Sequence, residues 1–188
     1  MTQSVVTQER AELQVSPFFQ FFRLTDEKRT VAGVDFEYGL TDRLELDAEV
    51  PYVWLNPFDD PAANGIGDVE IALRYGLVDY RSQAFALTVG LAVTMPTGDR
   101  MKDLGEGRLG VEPFFTASQW IGPVNVQLNA GWRRAVTNAG DEPKNEYEYN
   151  VALLYPIRQF FVVLEGNGET TSENTKYYVT PELIWKPS

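Results

Sequence analysis

The 188-residue chain has no cysteine and no histidine. Without cysteine there is no disulfide, no thiolate nucleophile and no zinc–thiolate site. Without histidine there is no Ser-His or Cys-His nucleophile, no imidazole metal ligand and no side chain that ordinarily titrates near neutrality. Methionine is scarce, at three. A long apolar run is missing too: no stretch approaches about 18 residues, so the sequence holds no transmembrane helix. The mean hydropathy is −0.25. Positive charge is in deficit, with 16 Lys and Arg against 27 Asp and Glu and a net charge of −11. No basic surface is left to neutralise phosphates, which excludes nucleic acid as a partner. A protein that meets lipid with strands, whose hydropathy signal is weak in each segment, stays open.

What the chain does have is alternation. In "TDRLELDAEVPYVW", Leu44, Leu46, Ala48, Val50, Tyr52 and Trp54 share one face, and Arg43, Glu45, Asp47 and Glu49 share the other. Successive side chains of a strand point to opposite sides, so this segment has an apolar and a charged face. The same period of two recurs ten times, and no long helical spacing competes with it. Strands are predicted at 11–23, 30–40, 43–54, 67–78, 84–95, 107–118, 123–134, 146–156, 159–166 and 175–185. Residues 1–10 read as a loose polar arm and residues 11–188 as one β-barrel domain. Apart from the first, the odd-numbered connections are long and polar, such as "PTGDRMKDLGEG"; the even-numbered ones are short, such as "TD" and "YPIR". An antiparallel up-and-down barrel with long loops at one end and tight turns at the other has this asymmetry, as outer-membrane barrels do.

The apolar register contains no charged residue in any of the ten strands. The opposite register carries Asp35, Glu37, Arg43, Glu45, Asp47, Glu49, Asp68, Glu70, Arg74, Arg108, Glu112, Arg133, Glu146, Glu148, Glu165, Lys176 and Glu182. It also holds small residues such as Gly33, Gly90, Ala92, Gly131 and Ala152. Small residues suit a crowded concave side, and large apolar ones suit a convex side against hydrocarbon. The expectation is therefore a transmembrane barrel with membrane lipid outside and those seventeen residues lining a wet lumen, Glu45 among them facing water. The arginines would offset part of the acid charge. Aromatics gather at strand ends: Tyr38, Tyr75, Trp120, Tyr155 and Trp185 toward the short turns, and Tyr52, Trp54, Trp132, Tyr147 and Tyr177 toward the long loops. Tyr and Trp favour membrane interfaces, although β-propensity alone also enriches them in strands. Ten residues at about 3.4 Å, tilted near 45°, cover about 24 Å, the height of an outer-membrane apolar band.

The segments "YGLTDRLELDAEVPY", "GIGDVEIALRYGL" and "LTVGLAVTMPTGD" resemble the bacterial outer-membrane barrel family of the transporter-like, phenol-degradation meta-pathway group, over residues 30–185. The resemblance implies passage of small, often hydrophobic solutes and contact with the outer-membrane assembly machinery during biogenesis. It also implies nearer twelve strands and a terminal aromatic, whereas this chain ends "PELIWKPS". Ten to twelve strands are thus expected. "MTQSVV" has no apolar core or cleavage site of a signal peptide, so the sequence reads as a mature form.

Chemical motifs have plainer readings. Gly105, Gly107 and Gly110 spell G-x-G-x-x-G, but a strand follows where a dinucleotide site needs a helix. The acids of "NPFDDPAAN" and "NAGDEPKN" lack the calcium-loop pattern and read as solvated charge. Paired acids on the charged face could serve a glycosidase, yet their even spacing over several strands reads more simply as a lumen wall. The expectation is no enzyme, no cofactor and no metal, but a passive channel in a Gram-negative outer membrane for small hydrophobic or cationic solutes. A barrel plugged by its own ion pairs, working through its loops, is the alternative, and a soluble lipid-binding barrel is a third.

Overall fold

A computed structural model describes residues 5–24, 27–59, 61–79, 84–137 and 144–185. The strands are β1 (Leu13–Arg23), β2 (Glu27–Gly39), β3 (Leu44–Pro57), β4 (Ala63–Ile66), β5 (Val69–Val78), β6 (Phe85–Met95), β7 (Gly110–Ile121), β8 (Val124–Ala135), β9 (Asn145–Ile157), β10 (Phe160–Thr171) and β11 (Thr175–Trp185). All but β4 are long. They follow one another antiparallel in the order β1-β2-β3-β5-β6-β7-β8-β9-β10-β11, and β4 pairs with the upper part of β3. The sheet curls strongly into a half-barrel. Among the described residues no ladder joins β1 to β11, so these two strands are its edges.

Turn chemistry sets the short-turn end. Thr41 Oγ1 accepts hydrogen bonds from the amides of Arg43 and Leu44, closing the β2–β3 turn. Gly122 and Arg158, both near φ +58°, occupy the left-handed region in the two-residue turns after β7 and β9, as tight hairpins demand. At the other end β3 changes partner. Leu44–Glu49 pair with β5, and Tyr52–Leu55 pair with β4. Between them Pro51 has no amide to donate, and its carbonyl accepts from Gly67 N at 2.9 Å. The predicted strand 67–78 is β5, and a separate β4 forms ahead of it in what the sequence reads as loop, because β3 changes ladder there.

Alternation decides the two faces. Leu46, Leu73, Leu91, Phe115, Leu128, Val151, Leu153 and Leu164 stand exposed on the convex side. Their neighbours Glu45, Arg74, Thr88, Thr116, Ala152 and Glu165 are buried on the concave side. A soluble barrel would enclose the large apolar set; here the curl turns it outward. Interface-type contacts appear on the convex face: the Tyr52 hydroxyl donates to Asn64 Oδ1 at 2.7 Å, and Trp132 Nε1 donates to Asn145 Oδ1 at 3.2 Å.

Two phenylalanines break the rule by pointing inward. Phe18 lies over Gly33 across the β1–β2 ladder, and Phe114 lies over Gly90 across β6–β7. Neither glycine has room for a Cβ beneath the ring. Phe114 also packs on Ala72 and Ala92, so small residues on two strands, β5 and β6, make a flat seat for one ring.

Gly90→Val is expected to lift the Phe114 ring and to cost about 1–3 kcal/mol, the usual range for overpacking. Gly166 has nothing within 4 Å of a built Cβ, and Gly166→Val is expected to be neutral or mildly stabilising. Urea titration of both variants in detergent checks the contrast.

Candidate functional site

The concave wall carries a grid of carboxylates set by register. Asp35, Glu49 and Glu70 lie side by side on β2, β3 and β5. One step nearer the short turns, Glu37 sits beside Asp47; one step further, Glu45 sits beside Arg74. Like charges directly opposite on a sheet repel, so the cations must be placed where they serve several acids at once.

Arg74 does this at one level. Its Nη1 lies 2.8 Å from Glu45, 3.3 Å from Asp47 and 3.8 Å from Glu37. Its side chain is 1% exposed and that of Glu45 0%. Glu45 therefore does not face water as expected; the register sets the arginine of β5 beside it, and Gln8, ahead of β1, bonds it. Arg133 on β8 serves the other level. It lies 3.1 Å from Glu148, 3.2 Å from Glu112 and 3.7 Å from Glu70, with Glu106 and Glu146 at 4.0 Å. Contact with Glu70 of β5 shows that Arg133 reaches back over two intervening strands toward the acidic wall.

Other predicted lining residues have different roles. Asp68 acts through hydrogen bonds to backbone: its carboxylate accepts from Gly98 N at 2.9 Å and Glu106 N at 2.7 Å. It thereby ties the β6–β7 connection to the base of β5. That connection also sends Leu104 into a buried cluster with Val53 and Leu55, and the Asp103 carbonyl accepts from Arg29 Nη2 at 3.4 Å. Gly105, Gly107 and Gly110 belong to this folded-in loop and its exit into β7. Arg108 pairs with Glu106 at 2.9 Å. Arg43 lies in the exposed β2–β3 turn, and Lys176 and Glu182 lie on the edge strand β11. Glu165 is buried on β10. The loop acids Asp60, Asp141 and Glu142 lie outside the described residues.

A neutral polar row continues the wall past the acids. Thr88, Thr116, Asn129, Asn150 and Asn167 follow one another across β6 to β10. Asn150 Nδ2 donates to Asn167 Oδ1 at 2.6 Å, and Ser118 Oγ bonds Asn125 Oδ1 at 2.9 Å. Among the described residues, several buried polar atoms on this face have no hydrogen-bond partner, including Thr116 Oγ1, Gln127 Oε1 and Asn150 Oδ1. Leaving such an atom dry costs about 1–3 kcal/mol, so this side of the sheet is built for polar contents. At the long-loop end a cleft of about 630 Å³ opens between the β3–β4 hairpin and the β6–β7 connection, lined by Leu55, Pro57, Ala63, Asn64, Met101 and Lys102 among others.

The sequence reading missed Phe18, Phe114, Leu104 and the residues ahead of β1. A signal existed for the two phenylalanines: each faces a glycine on the neighbouring strand once the register is drawn. For Leu104 it was a lone large apolar side chain in a charged loop.

An all-β, up-and-down antiparallel sheet curled about a polar, ion-paired concave wall defines a barrel-type protein. The particular family is shown by a family model described as "Putative MetA-pathway of phenol degradation", which matches residues 4–181, and the chain belongs to it. A comparison with curated proteins finds no match.

Arg74→Met leaves Glu37, Glu45 and Asp47 without their shared cation. It is expected to destabilise by about 3–5 kcal/mol, the range for breaking a buried pair. Arg74→Met/Glu45→Gln is expected to lose less than the two single variants summed. Equilibrium unfolding in urea supplies the cycle.

Proposed function

We propose that the protein is a passive conduit for small solutes in a bacterial outer membrane, with the convex face in hydrocarbon and the concave face lining a hydrated passage. The observation that carries this reading is the segregation of charge. Large apolar side chains stand exposed along the convex strands, for example Leu164 at 50% and Leu128 at 47%, while the strand ion pairs among the described residues lie on the other side. Exposed apolar surface on that scale, in water, would drive association; in lipid it is satisfied. Lipid tolerates no unpaired ladder groups. The edges β1 and β11 run in opposite directions, so pairing them with each other would be antiparallel and would close the ring.

The family's connection with phenol degradation supports a small, weakly polar aromatic as one class of solute. Phe18 and Phe114 give the concave wall two apolar ring faces amid the carboxylates, which suits such a molecule. The proposed role is transport without chemistry: most of the wall acids are engaged with Arg74, Arg133 or backbone amides. The ion-pair networks favour one rival, a barrel closed by its own side chains.

Two measurements test the proposal. In lipid vesicles Leu46→Arg is expected to cost roughly 2–4 kcal/mol of folding free energy. Glu49→Arg is expected to be neutral or stabilising, because it inserts a cation between Asp35 and Glu70; equal losses would mean that the faces are reversed. In planar bilayers under a salt gradient, the reversal potential is expected to show cation preference, since acids outnumber bases on the wall. Asp35→Asn/Glu49→Gln is expected to weaken it. A parent that never conducts would favour the closed barrel.

A further inference from the structure

The segment ahead of β1 turns back into the concavity. At Glu9–Glu12 the chain reverses: Ala11 takes φ +65°, an unusual conformation for a residue with a Cβ. Glu12 N donates to the Glu9 carbonyl at 2.9 Å, and Ala11 N to the Gly39 carbonyl at 2.7 Å. Residues 5–9 then run across the inner ends of β2, β3, β5 and β6. Gln8 donates from its amide to Glu45 Oε2 and from its side chain to Glu37 Oε2 at 2.8 Å. Thr88 Oγ1 donates to the Val5 carbonyl at 2.6 Å. Two glycines clear the way. Glu9's backbone lies where a Gly39 Cβ would stand, and a Cβ on Gly76 would lie 3.3 Å from Thr7 Oγ1. Glu45 and Thr88, on which the segment rests, are each 0% exposed.

We propose that residues 5–9 are a gate that closes the short-turn mouth of the passage by seating on Glu37, Glu45 and Thr88. The inference rests on the conduit reading. The two mouths are closed in different ways. At the long-loop end Leu104 is sunk among Val53 and Leu55 and two amides are clamped by Asp68, an apolar anchor that stays put. The segment at the short-turn end sinks one apolar side chain, Val5 at 4% exposed, and its other holds are the hydrogen bonds of Gln8 to Glu37 and Glu45 and of Thr88 to the Val5 carbonyl, which water can replace. Its departure from the seat uncovers Glu37 and Glu45, adding negative charge at that mouth.

The chain has no native cysteine, so an introduced pair is unambiguous. In Thr7→Cys/Gly76→Cys the two sulfurs are within bonding reach, and the same protein can be measured oxidised and reduced. Proteoliposome flux of a small monovalent cation is expected to fall at least fivefold on oxidation and to return with reductant. Gln8→Pro removes both Gln8 donors and is expected to raise flux severalfold over the parent. Separately, Thr88→Cys is expected to react slowly with a water-soluble maleimide, and at least fivefold faster when Gln8→Pro is added. Equal flux in oxidised, reduced and Gln8→Pro proteins would overturn the gate if the parent conducts. Equal labelling rates would overturn the seat itself. Absence of flux in every form, with labelling still accelerated, would overturn the conduit reading and reduce the segment to a strut.

Discussion

Carboxylates set side by side on a crowded concave wall repel one another, and a shared cation relieves that repulsion. This constraint governs the inner face. With so many acids brought into cross-strand register, Arg74 and Arg133 must each answer several, and their positions on β5 and β8 follow from that need. Arg74 draws Glu37, Glu45 and Asp47 to one level, and Arg133 draws Glu70, Glu112 and Glu148 to another. The curl supports these pairings by shortening the spans on the inside of the sheet; Ala72, Gly90 and Ala92 leave space for the Phe114 ring, and Gly131 leaves space for the Glu112 carboxylate. Asp35 and Glu49 stand outside both groups, which makes them the freest charges on the wall.

The outer face is the simpler half. Leu46 and Glu45 are adjacent in sequence and opposite in environment, and a period of two is enough to say so. Ten of the eleven strands were legible for the same reason, with ends shifted by a few residues; β10 alone runs well beyond its predicted end, to Thr171. The four-residue β4 was not legible, since its existence depends on β3 exchanging one partner for another at Pro51. The direction of each candidate lining residue was likewise legible, but its partner was not. That Arg74 meets Glu45, and that Arg133 passes over two strands to reach Glu70, depends on register and curvature, which no single strand encodes.

The polar segment before β1 was the least legible feature. Its residues carry no periodic signal, and its docking relies on backbone groups, a left-handed alanine and two glycines on other strands. Polar composition alone marks a loose tail in an isolated strand but a fitting insert in a polar concavity. The same sequence thus reads differently once the opposite surface is known to be charged.

The reversal at Glu9–Glu12 has a kinetic consequence. Ala11 is bonded to Gly39 and Gly39 to Glu12, so the segment is pinned to the end of β2 at a fixed pivot a few residues from its seat. Rebinding is then a unimolecular event at high effective concentration. In the proposed gate it is insensitive to protein abundance, and its rate is set by local chain motion of the kind that takes nanoseconds to microseconds. A separate blocking subunit would have to be matched in abundance and found by diffusion; a pivoted one is always present in a ratio of one to one.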